Sequence, residues 1–555
     1  MKNISNTVKF VTAKASTLKA GTFAQELLDQ ANDSSAVFDS ASCRDFVDQG
    51  MNQNTVSIPE NFQAVLDSCG DDAGRVTYAL LDGLNRYSAA HGTNVPPDVI
   101  EQALHNAYAA TLDDASANTD HSAAYSLQAE SVIVAIQGTL VAAVPFAHYA
   151  PADIGSGEAR IALLTHSAGD STGQYQQNDS LDGVNSGMSY LGSSRFHTLN
   201  PVDNTTNSLL NGKITKVQTD EDHCDQAGAT VKLVAGRSVV FFKGRPVASE
   251  ISASEVGASA VAGSFTDDGT SYVVAGTINT DTGVFALTVT PEIDSSTEFV
   301  IEALLDFERD DSLIPLIQSS VLIKPVFASS WRAYAQTSKE SIIQFQNELG
   351  IQPHSESTIA INAQFANERH FKLLSYARRI AMANQRTFTL EYDARKANMN
   401  IASMWRDIEP LLVAISQSMA EATNSHGATH IYVTAKLLKH FVNMPRDIFM
   451  PSGVSNQPNI YRAGRFLGLY DVYYTPRGLT ESTGAAQMLV IGRSNEVARS
   501  AFIMGDVSAP IMEPLGKDKS LKDGAAFHAK NFTTINPHKQ TLNAAAMVNV
   551  TGLPD

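Results

Sequence analysis

The stretch Tyr461-Arg-Ala-Gly-Arg-Phe-Leu-Gly-Leu-Tyr-Asp-Val-Tyr-Tyr-Thr-Pro476 sets the reading of the whole chain. Its β-branched and aromatic residues after Gly468 predict a strand over Gly468–Tyr474, and Pro476 ends it. Working outward, Ile431–Val433, Gln487–Ile491 and Ala501–Met504 read as further strands, and Ala435–Phe441 reads as a short helix. Short helices and strands in mixed order, without a regular βαβ series, place this third of the chain in the α+β class.

Upstream, the spacing predicts a long helix over Glu356–Gln385, capped by Ser355 or Ser357. Ile361, Phe365, Phe371, Leu374, Ala377 and Ile380 form its apolar stripe, while Arg369, Lys372, Arg378 and Arg379 are expected on the exposed side. A second helix is expected over Asp407–Ala422, with Pro410 in its first turn and Ile408, Leu412, Ile415 and Met419 on one face. Before these, Phe299–Lys324 reads as strand and Trp331–Asn347 as helix.

The first half has a different character. Thr22 to Asn118 is rich in Ala, Asp, Leu and Gln at helical spacing, as in Phe23-Leu27-Leu28 and Val99-Ile100-Leu104-Ala107, with Pro96 and Pro97 at a helix start. Ser131–Tyr149 reads as strand. Gly155–Asn211 is polar and rich in Gly, Ser, Asn and Asp, which predicts a long extended loop. A loop of that length needs a reason, and folding against a neighbouring subunit is one. From Lys213 to Glu302, β-type runs alternate with turns. Val239–Phe242 runs into Lys243-Gly244, and Tyr272–Ile278 is joined through Asn279–Gly283 to Val284, Ala286, Thr288 and Thr290, a hairpin signature.

The 555 residues exceed what one core usually spans, so several folding units are expected. With 43% hydrophobic and 18% charged residues the composition is that of a globular protein. Cys43, Cys69 and Cys224 form no CxxC pair, which leaves no disulfide framework or cysteine-rich zinc site and favours folding in a reducing cytoplasm. The longest apolar run, around Ser131–Tyr149, is interrupted by Gln137, Gly138, Thr139 and Pro145. Neither a signal peptide nor a membrane span is expected. The net charge of −18 is uneven, with 15 basic and 35 acidic residues up to position 300 and 25 and 23 after it. No Lys or Arg stands between Arg86 and Arg160, so this part cannot neutralise phosphates, and a nucleic-acid binding module is disfavoured.

Three patterns present in the sequence bear on chemistry. Gly169-Asp-Ser171-Thr-Gly173 fits GxSxG, but the polar sequence after it forms no amphipathic helix to complete a nucleophile elbow. His426 and His430 stand four apart without the glutamate of a zinc protease, and Gly427 breaks any helix between them. The cluster from Asp220 through Glu221, Asp222 and His223 to Asp225 lacks the alternating ligands of a calcium loop. Neither a phosphate loop nor a dinucleotide fingerprint is present. No catalytic, cofactor-binding or metal-ligating residue is assigned, no cofactor is expected, and the chain is not read as an enzyme.

The ordered set Tyr461–Pro476, Gln487–Gly492, Ala501–Met504 before Pro510 and Pro514, Asn531-Phe-Thr-Thr-Ile-Asn-Pro537 and Ala546–Val550 resembles the axial and closing strands of tailed-bacteriophage major capsid proteins, the Hong Kong phage capsid fold. The resemblance implies an α+β chain with an N-arm, an extended loop, a peripheral domain with a long spine helix, and an axial domain. The corresponding partition is an acidic helical N-terminal region over 1–125, a first peripheral strand with the extended loop over 126–212, and an inserted small β domain over 213–302. The peripheral domain with its spine helix follows over 303–400, then the axial domain over 401–520 and closing strands over 521–555. It further implies a structural protein of the virion, assembled in the host cytoplasm, whose pentamers and hexamers close an icosahedral head around double-stranded DNA without reading its sequence. Implied partners are further copies of the chain, a portal, a scaffold and a decoration protein, and no membrane. The helical region before residue 125 stands outside the family's common core; if it is an internal scaffold-like segment, removal by a maturation protease is expected. Two other classes stand beside this reading: a carbohydrate-binding or adhesin-like surface protein built on the β region, and a serine hydrolase built on Ser171.

Overall fold

The computed structural model describes residues 2–33, 38–53, 56–117, 124–251, 256–349, 353–515 and 522–554. The chain forms two compact units, residues 1–163 with 323–555, and residues 164–322.

The first unit begins with six helices, Lys2–Asp33, Ser40–Gln53, Glu60–Cys69, Ala73–His91, Pro97–Ala117 and Ala124–Val141. Asn118, where the first helical stretch was expected to end, lies outside the described residues. Pro97 opens the fifth helix, where its missing N–H costs nothing. Gly92 closes the fourth in the left-handed region at φ 64°, its N–H returning to the Ser88 carbonyl. The sixth helix corrects the strand expected over Ser131–Tyr149. Ala129, Val132, Ile136 and Leu140 are buried at spacings of three and four, so the β-branched residues line a helix packed among helices. Only His148–Tyr149 is strand, parallel to Ile503–Met504.

The long helix runs Pro353–Ala381. Ser355 and Ser357, expected as its cap, lie within that helical run. An eight-stranded mixed sheet has Gln385–Thr389, Ala545–Thr551, Ala485–Gly492, Ala428–Val433, Tyr470–Tyr474, Tyr461–Phe466 and Phe449–Pro451 in that order, with Glu481–Ser482 beside Ala485–Gly492. Helices Ile401–Arg406, Glu409–Thr423 and Ala435–Val442 cover it through Trp405, Leu412, Ile415, Met419 and Phe441. A second sheet joins His148–Tyr149, Phe502–Leu515, Lys522–Ile535 and Ser329–Ser338. The helix expected over Trp331–Asn347 is therefore strand to Ser338 and helix only from Lys339 to Leu349. Ten consecutive residue pairs with Lys522–Ile535 hold that strand, a long-range constraint that overrides local propensity.

One apolar core ties the N-terminal helices to the rest of this unit. Phe23, Phe62, Leu80, Leu104 and Ile136 share it with Leu373, Ala377, Tyr432, Ile491 and Phe502. Fully buried side chains of this size contribute about 1.5–3 kcal/mol each. The helical region is part of the main core.

The second unit is a nine-stranded antiparallel sheet from Ser194–Leu199 to Phe299–Leu304. The hairpin of Thr270–Asn279 with Val284–Thr290 pairs Ile278 with Phe285, and Asn279 Oδ1 accepts the Asp281 and Thr282 N–H groups. Phe242 pairs with Arg245 across Lys243-Gly244, both at positive φ (48° and 74°), as a two-residue mirror-image turn requires. The sheet starts earlier than the expected boundary at 213, and Gly155–Asn211 is not all loop: Glu158–Ala168, Ser194–Leu199, Val202–Asn204 and Asn207–Lys213 are strands. Their inward residues include Arg195, His197 and Ser208, so the apolar alternation that marks a strand is missing. Arg195 is held by backbone, its Nη1 donating to the Gly192 and Ser194 carbonyls (2.7 Å each) and its Nε to that of Lys216 (3.0 Å), while its buried Nη2 has no partner among the described residues.

Candidate assembly surface

The sequence patterns weighed as chemistry lie on loops, turns and one strand. Ser171 Oγ accepts the Gln177 N–H at 3.1 Å, and the nearest histidine in sequence, His166, is bonded through Nδ1 to Ser319 Oγ. The organising residue of that loop is Asp170. Its Oδ1 accepts from the Tyr190 hydroxyl and the Leu316 N–H (3.0 Å each), and its Oδ2 accepts from Thr172 and pairs with Lys216 (2.5 Å). Partial burial, which by itself raises its pKa, is outweighed by the Leu316 N–H, Lys216, Thr172 and Tyr190, which hold the carboxyl at about 2.

His426 sits in the turn before Ala428–Val433, and His430 lies on that strand, so the two share no helix face. Asp220, Glu221 and Asp222 lie on an exposed turn, where Asp220 Oδ1 accepts the Asp222 N–H (3.0 Å) and contacts His223 Nδ1 (2.7 Å). Among the described residues no group of three or more His, Cys, Asp or Glu is placed to hold a metal.

The buried polar groups that sequence reading missed lie where the N-terminal helices meet the sheets. Arg369, expected on the surface, is 3% exposed. Its Nη2 donates to Asp506 Oδ1 (2.8 Å), whose other oxygen accepts from Asn106 (3.1 Å), and Asn106 also donates to Thr139 (2.8 Å). Gln102 closes the group through both backbone groups of Asp506. Beside it, Asp98 Oδ2 accepts the Tyr149 N–H (2.8 Å), and its carboxylate meets Arg493 and His148. Burial would raise the Asp98 pKa, but Arg493, His148 and the Tyr149 N–H together keep it below the ordinary value.

Three imidazoles lie close by. His91 Nδ1 is 3.0 Å from the Tyr473 hydroxyl and His370 Nε2 is 2.9 Å from that of Tyr432. His430 packs between Phe146 and Tyr473, with ring centroids at 6.5 and 5.9 Å. Burial holds all three neutral, with pKa values of about 4, 3 and 3. Interior and neutral, these imidazoles specify packing.

The surface carries a different feature. Along the strand Ile317–Phe327 nearly every side chain is exposed, on both faces. Ile317, Val321, Leu322 and Ile323 are each about half exposed and Phe327 is 67% exposed. Single exposed apolar residues are ordinary, but here Val321, Leu322 and Ile323 are exposed in succession. Ser329–Ser338, which follows directly, is the edge of its sheet, with Tyr334 74% exposed. Such an edge can accept a strand from another chain. No helix among the described residues is long and apolar enough to cross a membrane.

No family model matches this sequence, and no curated protein sequence does either. Among solved structures the chain is similar in part to that of Microbacterium phage Oxtober96, at 11% identity over 43% of this chain and 77% of that one, TM-score 0.29. It is similar to the capsid of Myoviridae phage XM1 at 9% identity over 60% and 96%, TM-score 0.28. It is also similar to the holo-SrpI encapsulin complex from Synechococcus elongatus PCC 7942, at 11% identity over 44% and 80%, TM-score 0.27.

Proposed function

We propose that this chain is the major capsid protein of a tailed bacteriophage, a non-enzymatic subunit whose pentamers and hexamers close an icosahedral head around double-stranded DNA. The observation that carries the reading is the strand Ile317–Phe327, on which Ile317, Val321, Leu322, Ile323 and Phe327 are each about half exposed or more. Copies repeated by symmetry would cover it, and many such modest contacts close a shell. The long helix Pro353–Ala381, the mixed sheet from Ala428 to Thr551 and the edge strand Ser329–Ser338 supply the rigid body that a shell subunit needs. Further copies of the chain, a portal, a scaffold and a decoration protein are the partners, the virion is the location, and assembly takes place in the host cytoplasm. An excess of negative charge on the subunit would leave enclosed DNA unclamped.

Negative-stain electron microscopy and light scattering of the purified chain test this. Closed shells of uniform diameter are expected. Protein that stays monomeric at every concentration, alone and co-expressed with its phage partners, rules the reading out.

A further inference from the structure

The eight-stranded mixed sheet is apolar on both faces, and its strands deal alternate residues to two cores. Ile431, Val433, Val472, Met488 and Val490 share one with Trp405, Leu412 and Phe441 of the covering helices. Tyr432, Tyr473, Leu489 and Ile491 face the other way, and each is 2% exposed or less. The long helix covers part of that second face, and residues 60–149 cover the rest. Phe146, in the turn after the sixth helix, packs edge-on against Tyr432 and Phe502, with ring centroids at 5.6 and 5.3 Å. His91 reaches the Tyr473 hydroxyl (3.0 Å), and Gly92 lies so close to Arg462 that a Cβ there would stand 2.2 Å from its Nη1. Charged groups cross the same seam: Asp98 meets Arg493, and Asn106 donates to the Asp506 that Arg369 neutralises.

We infer that the N-terminal helices are a permanent cover for this sheet face, retained in the finished particle and not removed by a maturation protease. A separable domain keeps a core of its own and meets its neighbour through a smaller, more polar interface. Here Phe62, Leu80, Leu104 and Leu489 belong to one core. Loss of residues 1–125 would take away His91, Asp98, Gln102 and Asn106, and would leave buried Arg493 with no carboxylate partner among the described residues. An unpaired buried charge and a bared aromatic sheet face are both strongly unfavourable. Retention in a particle rests on the shell reading. The interaction surface is the second face of the mixed sheet, and its occupant is residues 60–149 of the same chain.

Two measurements test it. Mass spectrometry of finished particles purified from infected host cells should recover peptides of 60–117 and of 428–551 in equal amounts. Particles that hold the second set without the first overturn the inference and leave the shell reading standing. Particles that lack both remove the shell reading, and this inference with it. Native-state hydrogen exchange of the purified full chain should protect the slowest amides of Leu80–Leu84 and Ala103–Ala107 to within about tenfold of those of Leu489–Ile491, because one core opens as one unit. Helix protection more than about tenfold lower marks a separate unit and also overturns the inference.

Discussion

Nη2 of Arg493 lies 2.8 and 2.9 Å from the two carboxylate oxygens of Asp98, a residue 395 positions earlier in the chain. The pair is buried, with side-chain exposures of 15% and 6%, and fixes the fifth N-terminal helix against the loop after Ala485–Gly492. Breaking a buried pair strands the remaining charge, so Asp98→Asn or Arg493→Met should each cost about 3–5 kcal/mol in urea unfolding. The double variant should lose less than the sum. Single variants within about 1 kcal/mol of wild type would show that the pair is not buried in solution.

The three neutral imidazoles predict an acid limit. His91, His370 and His430 are faced by Tyr87, Tyr432, Tyr473, Arg462, Arg493 and Asp471, and their pKa values lie at about 4, 3 and 3 against 6.5 when exposed. The unfolded chain binds protons that the folded chain refuses. Their contribution is therefore complete above pH 6.5 and is lost as pH falls from 6.5 towards 4, with a slope approaching about 1.4 kcal/mol per pH unit per histidine. Depression of the Asp98 pKa adds a loss below about pH 4. Melting temperature against pH checks this: His370→Phe/His430→Phe should be less stable at pH 7.5 but flatter between pH 6.5 and 4.5, and an unchanged slope would contradict the burial.

Charging the exposed strand should uncouple assembly from folding. Val321→Asp/Ile323→Asp places two carboxylates on solvent-facing positions, so unfolding free energy should stay within about 0.5 kcal/mol of wild type. Sedimentation should nevertheless show assembly shifted to at least tenfold higher concentration. Wild-type assembly by this variant would remove the strand from the interface.

Around Ser171 the structural residue is its neighbour. Asp170→Asn weakens the contacts with Lys216 and with the Leu316 N–H and should cost about 1–3 kcal/mol. Ser171→Ala should be neutral within about 0.5 kcal/mol, and a fluorophosphonate probe should not label the protein. Labelling that disappears in Ser171→Ala would reinstate a hydrolase.

Elements with local cues were legible in the sequence: the long helix through its stripe, the Asn279–Gly283 and Lys243-Gly244 hairpins through their turn residues, and Tyr470–Tyr474 through its aromatic and β-branched run. The errors arose where a distant partner decides. Val132 and Ile136 line a helix because other helices surround them, Trp331–Ser338 is strand because Lys522–Ile535 pairs with it, and Arg369 is interior because Asp506, 137 residues later, neutralises it. Arg195 and His197 disguised a strand by facing inward. The exposed strand was placed within Phe299–Lys324, but its exposure is a property of the folded chain.

The core shared between Phe23 and Ile491 sets a schedule for biosynthesis. Chains emerge at about 5–20 residues per second, so Asp98 precedes Arg493 by roughly 20–80 s, with the whole acidic sheet made in between. Arrested-chain protection should therefore show residues 164–322 resistant to protease on the ribosome while the N-terminal helices remain cleavable. Those helices gain their full protection only after the last strands are released. A chain built this way has its two ends matched only on completion, so a truncated chain lacks the finished core.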